Sequence, residues 1–253
     1  MNITIIGSGN VAFVLGKVFI AANHSIYEVV GRNEKAVADL AAMLNAKPCF
    51  SIKEMNNEPD FFVVAVKDDV VAEVSNQINV AQKIVVHTCG SVSINALQST
   101  SEKYGVLYPL QSLRKELSYT PEIPFLIDGN NQYAKDAIES FASSFAKTII
   151  HTDDETRLHY HLSAIISSNF TNHLFALTKD YCDKNNVDFQ ALSPLIKETI
   201  NRIRYYDPAA MQTGPAARGD QLTIQKHLAL LEHFPALKKV YELMSESIQN
   251  NRL

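Results

Sequence analysis

The chain has 253 residues, 46% of them apolar, and a formal net charge of −4 with Lys and Arg scattered along it. This length allows one large domain or two smaller ones, and the charge provides no basic surface for nucleic acid. No apolar run approaches the roughly 20 residues of a membrane span, and no signal-peptide pattern begins the chain. The cysteines, Cys49, Cys89 and Cys182, lack metal-ligand spacing, which predicts reduced thiols, no metal site and a cytoplasmic protein.

Strand-like and helix-like segments alternate through the first part of the chain. This alternation favours a Rossmann-type α/β domain with a parallel sheet over residues 1–152. The apolar run at 60–66 is typical of a central strand that is buried on both faces. The predicted strands are 2–7, 26–31, 60–66, 83–87, 104–108, 124–128 and 147–150, and the predicted helices are 10–22, 34–44 and 132–145.

After Thr152 the pattern changes to apolar residues at three- and four-residue spacing. We predict an all-α domain over 153–253, with one long central helix over 154–184. The other predicted helices begin at Ser193-Pro194 and cover 221–232 and 235–249. The Pro/Gly/Ala-rich segment 207–219 is predicted to be a loop, followed by Asp220 as a helix N-cap.

A glycine motif separates the first strand from the first helix. Gly7, Gly9 and Ala12 form the pattern G-x-G-x-x-A. In dinucleotide-binding folds the first glycine allows the tight turn, the second lets the pyrophosphate approach the backbone, and the small third residue allows close packing of helix and sheet. The positive end of the helix then faces the phosphates. We therefore predict that a dinucleotide binds at Gly7, Ser8, Gly9, Asn10 and Val11.

The end of the second strand distinguishes the two nicotinamide dinucleotides. An acidic residue there would bind the ribose hydroxyls of NAD, but this chain has Arg32 and Asn33 after Gly31. A guanidinium can pair with a 2′-phosphate, which a carboxylate would repel. The sequence therefore favours NADP as the cofactor, bound in part by Arg32 and Asn33. An ordinary solvated arginine is the alternative for Arg32.

Several segments, in order along nearly the whole chain, carry a resemblance to a known family. They are IGSGNVA, AVKDDVV, VVHTCGS, YPLQSL, IPFLIDG, YHLSAIISSNF and TGPAARGD. With them the sequence resembles the Rossmann-like proteins that carry the domain of unknown function DUF2520, within the superfamily of pyrroline-5-carboxylate reductases and coenzyme F420-dependent NADP oxidoreductases. The resemblance implies an NADP-binding domain and a C-terminal domain like that of 6-phosphogluconate dehydrogenase, through which two copies dimerise. It names no substrate, and it leaves open a second cofactor such as F420.

Ala65, Val66 and Lys67 end a predicted strand. Related reductases carry a similar run beneath the nicotinamide ribose, so the resemblance implies that these residues contact the cofactor. For Lys67 the alternative is a surface lysine that caps the strand. Asp68 and Asp69 are interpreted as the N-cap and first-turn acid of the next helix.

His87 ends the following strand, at the carboxyl edge where open α/β sheets bind ligands. Its ordinary pKa of about 6.5 suits proton transfer at neutral pH, so we predict a catalytic role, with a structural histidine as the alternative. Gln111 follows a later strand and is predicted to orient a polar substrate, because its amide both donates and accepts. Cys89 has no activating base nearby in the sequence, and we do not expect it to act as a nucleophile.

Polar residues recur at helical spacing in the predicted long helix. We predict that His161 and Asn169 are catalytic and that Ser168 and Asn172 bind substrate, with a solvated helix face as the alternative. The β-hydroxyacid dehydrogenases have a lysine four residues before the corresponding asparagine, where this chain has Ile165. Their proton donor therefore does not carry over to this chain.

Arg218 lies in the TGPAARGD segment and is predicted to bind a carboxylate or phosphate of the substrate. Together these residues predict an NADP(H)-dependent oxidoreductase that transfers a hydride to or from a small carbonyl or imine compound in a cleft between the two domains. A pyrroline-5-carboxylate-like imine reductase and a noncatalytic NADP(H) sensor are the alternatives. The expected partners are the small-molecule substrate and a second copy of the chain, and neither nucleic acid nor a membrane.

Overall fold

The computed structural model describes residues 1–250, and the chain divides into two compact units, Met1–Ser168 and Asn169–Leu253. Residues 251–253, at the end of the predicted helical domain, lie outside the described residues. The domain boundary predicted after Thr152 stays a prediction.

The first unit contains one sheet of eight strands in the order β3-β2-β1-β4-β5-β6-β7-β8. Strands β1 to β6 pair in parallel, so their carboxyl ends share one edge of the sheet. The chain leaves β1 in one direction through β2 and β3 and returns to its other side with β4, which creates the switch point where doubly wound sheets bind ligands. The strands are β1 (Asn2–Ile6), β2 (Ser25–Val30), β3 (Lys47–Cys49), β4 (Phe61–Val64), β5 (Ile84–His87), β6 (Lys103–Pro109), β7 (Phe125–Gly129) and β8 (Ile149–His151).

Two features of the sheet differ from the prediction. Strand β3 was not predicted, because it has only three residues and contains Pro48, which suits an edge strand. Strand β7 pairs with β6 in antiparallel, so the predicted parallel sheet has one antiparallel pair. The connection from β6 to β7 contains no helix, and without a crossover the chain returns in the opposite direction.

Helices cover both faces of the sheet. On β4, Phe61 and Val63 pack in one apolar cluster, whereas Phe62 and Val64 pack in the other. This is the two-sided burial that the apolar run predicts, and it confirms the Rossmann-type α/β domain. The helices of this unit are α1 (Asn10–Ala21), α2 (Glu34–Met43), α3 (Val71–Ser75), α4 (Gln132–Ala142) and α5 (Asp154–Ala164).

The helical run that begins with α5 is not the single α-helix predicted over 154–184. A π-helix, Ile165–Phe170, separates α5 from the next α-helix, α6 (Thr171–Lys184). Short π segments of this kind are frequent at functional sites. The spacing of the apolar residues in the sequence gives no indication of this interruption.

The described part of the second unit is helical. Asp220 caps α9, its carboxylate accepting a hydrogen bond from Thr223 N–H at 3.1 Å, as predicted. The predicted loop 207–219 contains a short helix that the sequence analysis missed, although its first residue, Pro215, suits the N1 position of a helix. The helices are α6 (Thr171–Lys184), α7 (Ser193–Arg202), α8 (Pro215–Arg218), α9 (Gln221–Leu230) and α10 (Pro235–Asn250).

The three cysteines are free thiols and are buried. In residues 1–250 no group of His, Cys, Asp and Glu side chains has the arrangement of a metal site. None of the helices in this range is both long and apolar enough to cross a membrane.

Candidate active site

The turn between β1 and α1 combines one glycine that the fold requires with one that it does not. Gly7 has a φ of +124°, and a Cβ on it would lie only 2.2 Å from the carbonyl oxygen of Ala65. A Cβ on Gly9, by contrast, would meet no atom within 4 Å. Protein packing therefore explains Gly7, whereas the open space at Gly9 fits the close approach of a ligand.

The start of α1 provides groups that bind an anion. Gly9 is the N-cap residue, and no side chain accepts a hydrogen bond from the first turn. The N–H groups of that turn and the positive end of the helix are therefore available to a phosphate. This arrangement fits the pyrophosphate of the predicted dinucleotide, with Ser8, Asn10 and Val11 beside it. Their contacts with the cofactor stay predictions.

Arg32 follows β2 and projects into solvent. Its side chain is 82% exposed, and Nη1 lies 4.0 Å from a carboxylate oxygen of Glu73. Such an exposed ion pair is weak, so the guanidinium is available to a phosphate. Asn33 caps α2, its Oδ1 accepting a hydrogen bond from Ala36 N–H at 3.0 Å. Only its remaining polar groups can serve the cofactor role predicted for it.

The segment after β4 adjoins the glycine turn. Ala65 is buried against Gly7, and Lys67 is exposed. Lys67 is the N-cap of a short 3₁₀-helix, Asp68–Val70, so the prediction of Asp68 as N-cap was wrong. The helix begins directly after the extended residue Lys67, which places Asp68 in its first turn. The cofactor roles of Ala65, Val66 and Lys67 stay predictions.

Tyr108, His161 and Gly90 meet at the carboxyl edge of β5 and β6. Tyr108 Oη and His161 Nδ1 are hydrogen-bonded at 2.9 Å, in a direction set by the histidine tautomer. A Cβ on Gly90 would lie 2.5 Å from His161 Nδ1 and 2.9 Å from Tyr108 Cζ, so only glycine allows this packing. Burial, followed by the charge of Asp68, raises the pKa of Tyr108 to about 12, and the phenol keeps its proton at neutral pH.

A carboxylate lies beside this pair. Asp68 accepts a hydrogen bond from the hydroxyl of Ser91, the residue after Gly90. Although burial opposes ionisation, hydrogen bonds from Ser91 and Cys89 bring the pKa of Asp68 below its ordinary value. Burial and the charge of Asp68 raise the pKa of the Cys89 thiol. Cys89 therefore stays protonated, in line with the sequence-based expectation that it is no nucleophile.

His87 is fully buried. Its Nδ1 accepts a hydrogen bond from Cys89 N–H at 3.2 Å, which assigns the ring proton to Nε2. Burial, reinforced by the charge of Arg157, lowers the pKa of His87 to about 4. A neutral, inaccessible imidazole favours the structural interpretation of His87, and its catalytic role stays a prediction.

Arg157 of α5 holds the loop that follows β5. Its guanidinium is 1% exposed, and Nη2 donates hydrogen bonds to the carbonyl of Val92 and to Asp154 Oδ1. Asp154 also accepts a hydrogen bond from Ile94 N–H at 3.2 Å. His161 lies one helical turn after Arg157, so these bonds determine where its imidazole meets Gly90.

The other predicted substrate residues are exposed. Gln111 Nε2 donates to the carbonyl of Glu122 at 2.9 Å, so its own loop already binds part of the amide. Ser168 lies in the π-helix, while Asn169, Asn172 and Arg218 belong to the second unit. The roles of these residues stay predictions.

No site role for the side chains of Tyr108, Asp68, Ser91 or Arg157 was predicted from the sequence. The segments YPLQSL, AVKDDVV and VVHTCGS contain the first three, so the signal was present, although Asp68 had been explained as a helix cap. Nothing in the sequence distinguishes Arg157 from a solvated helix residue. Its burial depends on the loop after β5, which is distant in the chain.

Unfolding at different pH values tests the neutral state of His87. Because the folded pKa of about 4 lies below the ordinary 6.5, the unfolded chain takes up the proton first as the pH falls. The stability due to neutral His87 is complete above pH ~6.5 and is lost progressively toward pH ~4, by up to about 3 kcal/mol. Urea unfolding measures the free energy of unfolding across this interval. Between pH ~6.5 and pH ~4 this free energy should decrease by about 3 kcal/mol less in His87→Asn than in the wild type. Parallel pH profiles for the two proteins would contradict the buried neutral imidazole.

Two family models match the chain. Residues 2–90 match the model described as NADP oxidoreductase coenzyme F420-dependent, and residues 123–248 match the domain of unknown function DUF2520. A search of curated proteins found no match.

Solved structures share the fold over the full length. The proposed NADP oxidoreductase BF3122 from Bacteroides fragilis is 32% identical, with 99% of this chain and 98% of that chain aligned and a TM-score of 0.93. Protein TM1727 from Thermotoga maritima is 20% identical, with 98% of each chain aligned and a TM-score of 0.77. An imine reductase from Myxococcus stipitatus, in complex with NADP⁺, is 15% identical, with 99% and 93% aligned and a TM-score of 0.67. The last two likenesses show the fold alone, but the first, with the two family models, identifies the family. The chain belongs to the NADP oxidoreductases in which a Rossmann-type domain precedes a DUF2520 region, and its cofactor is NADP.

Proposed function

We propose that the protein transfers a hydride between NADP(H) and a small carbonyl or imine compound at the carboxyl edge of β4, β5 and β6. The observation that carries this proposal is the Tyr108–His161 hydrogen bond, packed against Gly90 at that edge. It brings a protonated phenol and an imidazole together where a doubly wound sheet binds its ligand. NADPH, when bound, supplies the hydride, and the protein supplies orientation and proton control.

The strand order supports this position of the site. Arg32 follows β2 on one side of β1, whereas Gly90 follows β5 and Tyr108 lies in β6 on the other side. If Arg32 binds the 2′-phosphate and the turn at Gly9 binds the pyrophosphate, the nicotinamide half belongs with β4, β5 and β6. Lys67 follows β4 and is proposed to contact the cofactor between these two regions.

Tyr108 is proposed as the proton donor to the substrate. Its high pKa keeps the hydroxyl protonated at neutral pH. When His161 carries a proton on Nδ1, the ring donates to Oη and leaves the phenolic O–H free for a carbonyl oxygen or an imine nitrogen. His161 is then placed to return a proton from Nδ1 to Tyr108 after each turnover, while Nε2 takes up a proton from solvent. The second wall predicted from the helical domain, including Asn169, stays part of the proposal.

An imine reductase for cyclic imino acids is the second candidate. The fold likeness to an imine reductase that binds NADP⁺ supports it. Such an enzyme would use the same edge, with Tyr108 facing the substrate nitrogen. A noncatalytic NADP(H) sensor would bind the cofactor at the same turn but would turn over neither compound.

A second copy of the chain is the proposed macromolecular partner. Only four apolar residues of the second unit are buried among the described residues, namely Cys182, Ala216, Ile224 and Leu231. Large apolar side chains remain exposed, including Leu195 at 62% and Leu243 at 64%. A unit of this size with so small a core gains stability when a partner covers such residues. The buried free thiols support the reducing cytoplasm as the proposed compartment.

Sedimentation equilibrium tests the proposed dimer. We expect twice the mass of one chain at micromolar concentration, because the exposed apolar residues of α7 and α10 bury one another across two copies. The mass of a single chain under these conditions would contradict the proposal.

Replacing Arg32 tests the cofactor assignment. Arg32→Asp removes the partner of the 2′-phosphate and adds a repelling charge, so NADPH affinity should fall about 100-fold while NADH affinity changes less than about threefold. Calorimetric titration with both dinucleotides measures the difference. Lys35→Asp, the same charge change at the second residue of α2, is the control and should leave the ratio unchanged. Equal losses for both dinucleotides in Arg32→Asp would refute the assignment.

Removing one hydroxyl tests the proton donor. Tyr108→Phe keeps the ring but should lower kcat about 100-fold, with the Kd for NADPH within about twofold of the wild type. The loss of NADPH absorbance with a panel of small ketones and cyclic imines measures turnover. Tyr104→Phe, on the same strand, is the matched control and should retain activity.

Two results would change the conclusion. An undiminished kcat in Tyr108→Phe would remove Tyr108 from the chemistry. Tight NADPH binding without turnover of any compound in the panel would favour the sensor.

A further inference from the structure

We infer that the carboxylate of Asp68 makes this site selective for a cationic iminium substrate over a neutral carbonyl. The inference rests on the proposed function and decides between its two substrate classes. From its sequence position, Asp68 is predicted to cap a helix, but in the structure Lys67 is the N-cap residue. The carboxylate of Asp68 is therefore not used as a helix cap.

A short series of contacts joins Asp68 to the Tyr108–His161 pair. The carboxylate accepts the hydroxyl hydrogen of Ser91, which holds it beside the loop after β5. The preceding residue, Gly90, lies directly against both rings of the pair. Asp68 itself is exposed at the carboxyl edge of the sheet, where a ligand can reach it. The charge of Asp68 also helps to raise the pKa of Tyr108, so a substrate at Tyr108 Oη is proposed to lie within range of this negative charge.

The charged groups around Asp68 do not cancel this negative charge. Arg157 of α5 is buried behind the loop and is paired with Asp154 at 2.7 Å. Lys67 precedes Asp68 and is proposed to contact the cofactor, and Asp69, in the same helical turn, is exposed. His161 of α5 is a further ionisable group that faces the carboxylate.

Three ionisable groups near Asp68 contribute no charge to the site at neutral pH, namely His87, the Cys89 thiol and the Tyr108 phenol. The pKa of His87 is lowered to about 4, and that of Tyr108 is raised to about 12. Burial also raises the pKa of Cys89. The carboxylate of Asp68 therefore lies near three groups that stay neutral at this pH, and its charge favours a cation over an anion or a developing alkoxide.

The hydrogen-bonding groups match an iminium ion as well. An iminium N–H donates a hydrogen bond, whereas a carbonyl oxygen only accepts one. When the proton of His161 is on Nε2, the Tyr108 hydroxyl donates to Nδ1, and its oxygen lone pairs face the substrate. That tautomer accepts an iminium N–H, whereas the tautomer with the proton on Nδ1 leaves the phenolic O–H for a neutral carbonyl or imine. We assign the first tautomer to the complex with an iminium ion.

The reaction balances without a further proton. The iminium carbon gains a hydride, the C=N π electron pair moves onto nitrogen, and a neutral amine forms. NADPH is oxidised to NADP⁺ in the same step, so the positive charge passes from substrate to cofactor. Reduction of a ketone would instead place negative charge on oxygen beside Asp68, which the carboxylate disfavours.

An isosteric substitution tests this selection by charge. Asp68→Asn removes the charge but keeps an acceptor for Ser91. We expect kcat/KM for 2-methyl-1-pyrroline to fall about tenfold or more, with 2-methylcyclopentanone turnover undiminished and NADPH affinity within about twofold. Asp69→Asn, the neighbouring acid in the same turn, is the matched control and should leave both substrates unaffected. Equal changes for the imine and the ketone in Asp68→Asn would overturn the inference.

A binding measurement separates this inference from the proposed function. The complex with NADP⁺ is titrated calorimetrically with 2-methylpyrrolidine, a cation at neutral pH, and with neutral 2-methylcyclopentanol. We expect the wild type to prefer the amine and Asp68→Asn to lose that preference about tenfold, whether or not any substrate is turned over. No turnover together with this preference would reject the proposed reaction and keep the role of Asp68. No preference for the cation in the wild type would reject the role of Asp68.

Discussion

The buried guanidinium of Arg157 determines where α5 lies against the sheet. A guanidinium taken out of water without partners costs several kcal/mol, so its bonds to Val92 and Asp154 favour one arrangement of helix and loop. His161, one turn later, consequently meets Gly90 and Tyr108. The geometry of the Tyr108–His161 pair therefore depends on the buried charge of Arg157, which lies outside that pair.

Three positions at one edge of the sheet are occupied by glycine, each for a different physical reason. Gly7 is needed because β1 and the segment after β4 approach within the space of a side chain, and Gly90 is needed because two rings pack on its backbone. A Cβ on Gly9 would meet no atom of the protein within 4 Å, and this open space fits the proposed approach of a ligand. These positions follow β1 and β5 at the same edge of the sheet, where cofactor and substrate are proposed to meet.

The sequence predicted features that depend on local pattern. Strand β1, the glycine turn and α1 were predicted nearly to the residue, because apolar runs and glycines report directly on local backbone structure. The three-residue β3, the antiparallel β7 and the π-helix were missed, since each depends on pairing or packing beyond the segment itself. The Tyr108–His161 contact spans 53 residues of chain, and only the folded sheet brings its members together. The hydrogen bond between Asp68 and Ser91 also joins segments that are distant in the chain, so the sequence indicated only a helix cap for Asp68.

A crystal structure of the protein with NADP⁺ tests most directly whether this edge is one continuous site. We expect the pyrophosphate over Gly9, the 2′-phosphate at Arg32 and the nicotinamide on the side of β4 that carries Gly90 and Tyr108. A nicotinamide on the β2 side of β1, or a pyrophosphate away from the start of α1, would contradict this arrangement and remove Tyr108 and His161 from the chemistry.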